Sequence, residues 1–114
     1  MINLGTHKIG TKHKPFIVAE MSGNHNGSLK RALEIVKRAA GCGVSAIKLQ
    51  TYTPDTMTIK SNKRDFIVTN KKSIWLGKNL YDLYKIAHTP WRWHQKIFQE
   101  AKKYGLVYFS TPFD

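Results

Sequence analysis

Apolar positions along the chain gather into three short runs, separated by stretches of helical or irregular pattern. Phe16 to Glu20 is apolar on both faces until its last residue, the pattern of a parallel strand covered on both sides. Ser28 can cap a helix in which Leu29, Ala32, Leu33, Val36, Ala39 and Ala40 keep the three-and-four spacing of one buried face, while Lys30, Arg31, Glu34, Lys37 and Arg38 point outward. Gly41 or Gly43 ends that helix, and Val44 to Gln50 forms a second strand. The distance from the first strand to the second is that of one βαβ unit.

Thr51 to Lys78 has no sustained period, holds Pro54, Asn62, Asn70 and Gly77, and far exceeds the usual βα connection of about two to six residues. An insertion of that length is usually functional or mobile. Asn79 then caps a short helix with Leu80, Leu83, Tyr84 and Ala87 inward. Thr89 caps a further helix beginning at Pro90, with Trp91, His94, Phe98 and Ala101 on its inner stripe and Gly105 as its stop. Leu106 to Ser110 is the third strand. Before the first strand, Ile2, Leu4 and Ile9 around Gly5 and Gly10 suggest a small hairpin or lid over residues 1–14.

This order makes the fold class α/β. Three strands with their helices leave a parallel sheet with two open edges, whereas a (β/α)8 TIM barrel takes eight such units and about 250 residues. The expectation is therefore the N-terminal portion of such a barrel, about three βα units of a larger enzyme, ending just after the third strand. No linker, repeat or low-complexity tract argues for a second domain.

Composition narrows the functional classes. With 41% hydrophobic and 23% charged residues, disorder is excluded as a reading. Nineteen Lys plus Arg against seven Asp plus Glu give a formal charge of +12, which admits nucleic acid, a membrane surface or a small anion as partner. The lysines are scattered over presumptive solvent faces, with no basic helix and no RNA-binding aromatic signature, so a solvated surface is preferred and nucleic acid is not expected. No run reaches signal-peptide or transmembrane length, so no membrane partner is expected. A single cysteine, Cys42, rules out a disulfide framework and points to a reducing cytoplasm, with the thiol filling space at a helix end.

Candidate chemistry lies at the strand ends, where ligands of parallel α/β sheets gather. The three strands finish on Glu20, on Lys48 with Gln50, and on Ser110 with Thr111. Ala46, Lys48 and Gln50 share one face of the second strand, so cation and amide point together into the mouth. Burying an ammonium without a counter-charge is costly, which leaves two readings: a Lys48–Glu20 ion pair between strands, or an anionic substrate held by Lys48. Asn24, His25, Asn26, Thr51 and Tyr52 crowd the same rim. His25 alone makes no metal site and is expected to hydrogen-bond to substrate or to its own loop. His94 reads as a packed core histidine, and Trp75 and Tyr81 as packing or lid residues with sugar stacking as the alternative.

Three motifs carry a resemblance. Ile17-Val-Ala-Glu-Met-Ser-Gly-Asn-His-Asn-Gly27, Ala46-Ile-Lys-Leu-Gln-Thr51 and Tyr108-Phe-Ser-Thr-Pro-Phe113 resemble the first three strand motifs of the sialic acid synthase family. Thr51 to Met57, Trp75 to Tyr84 and His88 to His94 are most similar to its pseudaminic acid branch, with the N-acetylneuraminate and legionaminate branches, or an inactive module of the same fold, as alternatives. The resemblance covers nearly all of the chain from Pro15 onward. It implies a (β/α)8 barrel followed by a small antifreeze-like domain that is absent here. The implied reaction condenses phosphoenolpyruvate with the open-chain aldehyde of an acetamido sugar, in this branch 2,4-diacetamido-2,4,6-trideoxy-altrose. The products are phosphate and a nine-carbon 2-keto acid used on flagella or other surface glycans. It further implies a divalent metal, manganese or magnesium, whose two histidine ligands lie beyond Asp114, and a homodimer.

Carried over by motif, Glu20 handles protons at the sugar or the attacking water, and Lys48 and Thr111 contact phosphoenolpyruvate. Gln50 and Ser110 are their neighbours, and Asn24 and His25 lie on the sugar side. On this reading the chain by itself binds phosphoenolpyruvate weakly at best and does not turn over.

Overall fold

In the computed structural model, which describes residues 1–114, the chain opens with a hairpin. Strands β1 (Ile2–Leu4) and β2 (His7–Ile9) pair antiparallel, with Ile2 opposite Ile9 and Leu4 opposite His7. Gly5 turns between them at φ +59°, a conformation that a side chain would strain. The hairpin expected within residues 1–14 is present.

A parallel sheet follows in the order β3 (Val18–Glu20), β4 (Ala46–Thr51), β5 (Val107–Pro112). Its register sets Glu20 beside Lys48, Lys48 beside Phe109, and Gln50 beside Thr111. β3 starts two residues later than its apolar run suggests, because the Ile17 amide donates to the Ser45 hydroxyl at 3.2 Å instead of to a strand neighbour. It is also less covered than the expected doubly buried strand, with Ile17 exposed at the sheet edge. β5 runs further than expected, pairing with β4 through Thr51 and Pro112. Proline is tolerated there because β5 is an edge strand.

Helix α1 (Leu29–Gly41) is capped as its sequence predicts, the Ser28 hydroxyl accepting the Arg31 amide at 3.2 Å. Of its two possible stops, Gly43 is the one used. At φ +79° it donates to the Ala40 carbonyl while Val44 donates to that of Ala39, which closes the last turn. Cys42 is the exposed cap residue between them.

The long connection is partly ordered by a short helix, α2 (Pro54–Met57), and a 3-10 turn over Arg64–Phe66. Asn79 caps α3 (Leu80–Ala87) through its side-chain carbonyl, which accepts the amides of Tyr81 and Asp82.

The last helix departs from expectation. A 3-10 turn over Trp91–Trp93 leads into α4 (His94–Lys103), and Thr89 caps neither. Its buried side is Trp93, Ile97 and Ala101, not the stripe from Trp91 through His94 and Phe98. The 3-10 turn is wound more tightly than an α-helix, which rotates the residues after it, and Trp91 instead stays half exposed with its indole N–H on the Tyr52 carbonyl.

The core lies on one side of the sheet. Ala32 and Val36 of α1 meet Ile47 and Leu49 of β4 and Ile97 and Ala101 of α4, closed by Met21, Trp93 and Leu106. The other sheet face carries Lys48 and Gln50, both half-buried, with Glu20 and Phe109 exposed beside them.

Candidate functional site

Period-two alternation divides the strand ends between two faces. Glu20, Lys48, Gln50, Phe109 and Thr111 share the open face, at adjacent register positions. Lys48 Nζ lies 2.9 Å from Glu20 Oε1, with the two side chains 25% and 56% exposed. The ion pair of the first reading is thus formed. A pair this open to water is worth only about 0–1 kcal/mol, so it does not lock the ammonium away from an incoming anion. The two readings of Lys48 are compatible: Glu20 holds it until a stronger anion arrives.

The loop after β3 is anchored to this edge. The Met21 amide donates to the Lys48 carbonyl, and the Met21 carbonyl accepts both the backbone N–H and the side-chain amide of Asn24, at 3.1 and 2.8 Å. Ser22 and Asn26 hold φ of 49° and 48°, two non-glycine residues in the left-handed region within one short loop. Such strain persists only where the surroundings fix it. Asn24 remains exposed on the rim.

His25 is drawn inside. It is fully buried, Nδ1 accepts the Gly27 amide at 3.1 Å, and Nε2 lies 3.0 Å from the Thr89 hydroxyl. An accepting Nδ1 places the ring proton on Nε2, which donates to Thr89. Both nitrogens are therefore committed, and the hydrogen bond expected of His25 goes to its own loop and to Thr89, with no nitrogen left facing the mouth. The same bond explains why Thr89 is not a helix cap. Burial, followed by the nearby His88, holds the His25 pKa below its ordinary value.

Ser110 also sits apart from Lys48. Adjacent to Thr111 on a strand, it must face the opposite side, and its hydroxyl is 2.6 Å from that of Thr51, which in turn lies 2.7 Å from His94 Nε2. This chain of hydrogen bonds ties the ends of β4 and β5 to the start of α4, behind the mouth. His94 is accordingly a half-buried hydrogen-bonding residue, not a purely packed one, and burial lowers its pKa against the opposing pull of the Pro90 and Trp91 carbonyls. Strict alternation could have separated Ser110 from Thr111 in the sequence. The Thr51–His94 and His25–Thr89 contacts, 43 and 64 residues apart, leave no local signal.

Beside the loop, a cavity of about 250 Å³ is lined by Ser22, Gly23, Asn24 and Asn26 on one wall and by Trp75, Leu83, Ile86 and Ala87 on the other. Trp75 is therefore partly open to a ligand. Tyr81 is not among the lining residues and donates to Asp55 at 3.0 Å. Gly23 packs closely at this wall, where a Cβ would come within 3.1 Å of the Ala87 carbonyl.

No three His, Cys, Asp or Glu side chains of this chain converge in a group able to hold a metal ion. No helix is long and apolar enough to cross a membrane.

Comparison with known proteins gives a consistent result. Residues 35–114 match the NeuB family. The chain is 50% identical over 103 residues to the pseudaminic acid synthase of Campylobacter jejuni subsp. jejuni serotype O:2, covering 90% of this chain and 29% of that protein. It is 44% identical over 99 residues to the pseudaminic acid synthase of Helicobacter pylori, covering 87% of this chain and 28% of that protein. In structure it matches the N-acetylneuraminic acid (sialic acid) synthetase of Leptospira borgpetersenii serovar Hardjo-bovis, solved with citrate. That match has a TM-score of 0.76 at 30% identity and covers 99% of this chain and 34% of that one. The parallel sheet and its helices are thus part of a TIM barrel, and the chain spans under a third of the length of these two synthases.

Proposed function

The chain belongs to the NeuB family, and from that premise we propose that its strand ends form part of the active site of a pseudaminic acid synthase. The reaction joins C3 of phosphoenolpyruvate to the aldehyde carbon of 2,4-diacetamido-2,4,6-trideoxy-altrose, water adds at C2, and the C–O bond to phosphate breaks. The observation that carries this reading is the shared open face on which Glu20 and Lys48 stand side by side, with Gln50 and Thr111 at the next position along the same strands.

In this arrangement the Lys48 ammonium exchanges Glu20 for an anionic group of phosphoenolpyruvate, a charge-assisted contact that Thr111 and Gln50 extend with a hydroxyl and an amide. Glu20, released from Lys48, is a carboxylate free to take a proton from the attacking water, and in its protonated form it can pass one to the sugar oxygen. Asn24 stands on the exposed rim for the sugar. His25 and Ser110 act from behind the site, holding the loop and the strand ends. A divalent metal, when bound, would polarise the aldehyde. The working enzyme is a cytoplasmic homodimer on this reading.

Titrating phosphoenolpyruvate into the isotope-labelled chain tests the site. The expected result is weak, saturable shifts at Lys48, Gln50 and Thr111 that disappear in Lys48→Met, with no product formed from the sugar. Shifts elsewhere, or unchanged binding in Lys48→Met, would remove Lys48 from the site.

A further inference from the structure

A second concave site lies at the opposite end of the sheet. Thr6, His7 and Lys8 of the hairpin face His13, Lys14, Pro15 and Phe16 of the lead-in to β3 and Ser45 at the start of β4, around a cavity of about 320 Å³. Two lysines and two histidines line it and no carboxylate does, in a chain of net charge +12. We propose that this cavity binds a small phosphate-bearing anion, either inorganic phosphate or a phosphate monoester.

Four observations support that chemistry. The lysines supply ammonium donors with no internal counter-ion in the cavity wall, so their charge is left for a ligand. Ser45 already accepts the Ile17 amide on its oxygen, which leaves its O–H to donate inward. His7 packs edge-on against Phe16 with ring centroids 5.0 Å apart, and its Nδ1 is buried without a hydrogen-bond partner. The ring is thereby held in the cavity wall beside the two lysines. Pro15 and Phe16 add an apolar wall to an otherwise polar cavity, suited to the organic part of a monoester. The site is independent of the mouth: Ser45 and Phe16 precede their strands, whereas Glu20 and Lys48 stand at or near the strand ends.

The test is titration of the chain with inorganic phosphate and, separately, with phenyl phosphate, followed by calorimetry and by amide shifts. Saturable binding is expected, with shifts at His7, Lys8, Lys14 and Ser45, and phenyl phosphate binding more tightly if the apolar wall is used. Equal affinity for the two assigns the site to the phosphate group alone. Lys8→Gln with Lys14→Gln is expected to weaken binding by about tenfold or more, from the loss of two charge-assisted contacts. These lysines are exposed, so the double variant should keep its circular dichroism and unfolding midpoint. Lys48→Gln should leave this binding unchanged, which separates the site from the mouth. The proposal is overturned by absence of saturable binding, by loss in Lys48→Gln but not in the double variant, or by an equal loss when Lys102 and Lys103 are changed to Gln. That last result would mean that bulk charge alone attracts the anion, as would equally strong binding to random duplex DNA.

Discussion

Lys48 and His25 show how two polar residues near one strand edge take opposite roles. Lys48 keeps its ammonium at the surface of the open face, paired to a carboxylate that is itself more than half exposed. Lys48→Met should therefore change the unfolding free energy by no more than about 1 kcal/mol while abolishing phosphoenolpyruvate shifts, a separation that urea titration and binding on the same sample can check. His25 is enclosed, and His25→Ala leaves Thr89 without its partner and a void beside Trp93, whose ring meets the imidazole edge-on. A loss of about 2–4 kcal/mol is expected, read from the urea midpoint.

The same burial makes the fold sensitive to acid. His25 and His94 both have pKa values lowered from the usual 6.5. The unfolded chain then takes up protons first as pH falls below about 6.5, so stability is complete above that value and declines below it, toward the folded-state pKa values. Urea midpoints followed from about pH 8 to 5 should be flat and then fall, and His25→Gln should make the decline shallower. A midpoint that rises on acidification would contradict the buried, neutral state of both rings.

At the scale of elements, helix ends were the most legible features. Ser28 and Asn79 cap the helices that follow them, because short polar side chains reach back to free amides without help from the rest of the fold. Gly43 closes α1 at φ +79°, and Gly43→Ala should cost about 1 kcal/mol, measured as a lower melting temperature with unchanged helix content. Thr89 has the same local credentials as Ser28 yet serves His25, a residue from another element. The Thr51 hydroxyl joins β4, β5 and α4 in one chain of bonds. Thr51→Val should loosen that junction, seen as faster amide exchange at Ser110 and Thr111 with the sheet otherwise protected.

At the scale of the whole molecule, the three-stranded sheet is open at both edges. The chain's radius of gyration is 16.7 Å, above the ~13 Å of a compact domain of this length. β3 and β5 are both edge strands, and Tyr108, Phe109 and Phe113 on β5 and just beyond it are 40%, 41% and 39% exposed. Unpaired parallel edges with aromatic residues attract further strands. The purified 114-residue chain should therefore self-associate with rising concentration in sedimentation velocity; a monomer at every concentration would mean that the open edges are protected in some other way.

The sequence by itself determined the α/β order, the extents of α1 and β4 to within two residues, the caps at Ser28 and Asn79, and the motifs around Glu20, Lys48 and Thr111, because these rest on local periodicity and on side chains that bond to their own backbone. Only the tertiary structure decided which polar groups at the strand ends belong together. It set Lys48 against Glu20, turned Ser110 to the rear with Thr51 and His94, and buried His25 on Thr89. Those assignments depend on register and on contacts between residues tens of positions apart, and there the free energy of pairing a buried polar atom overrides what its neighbours in sequence suggest.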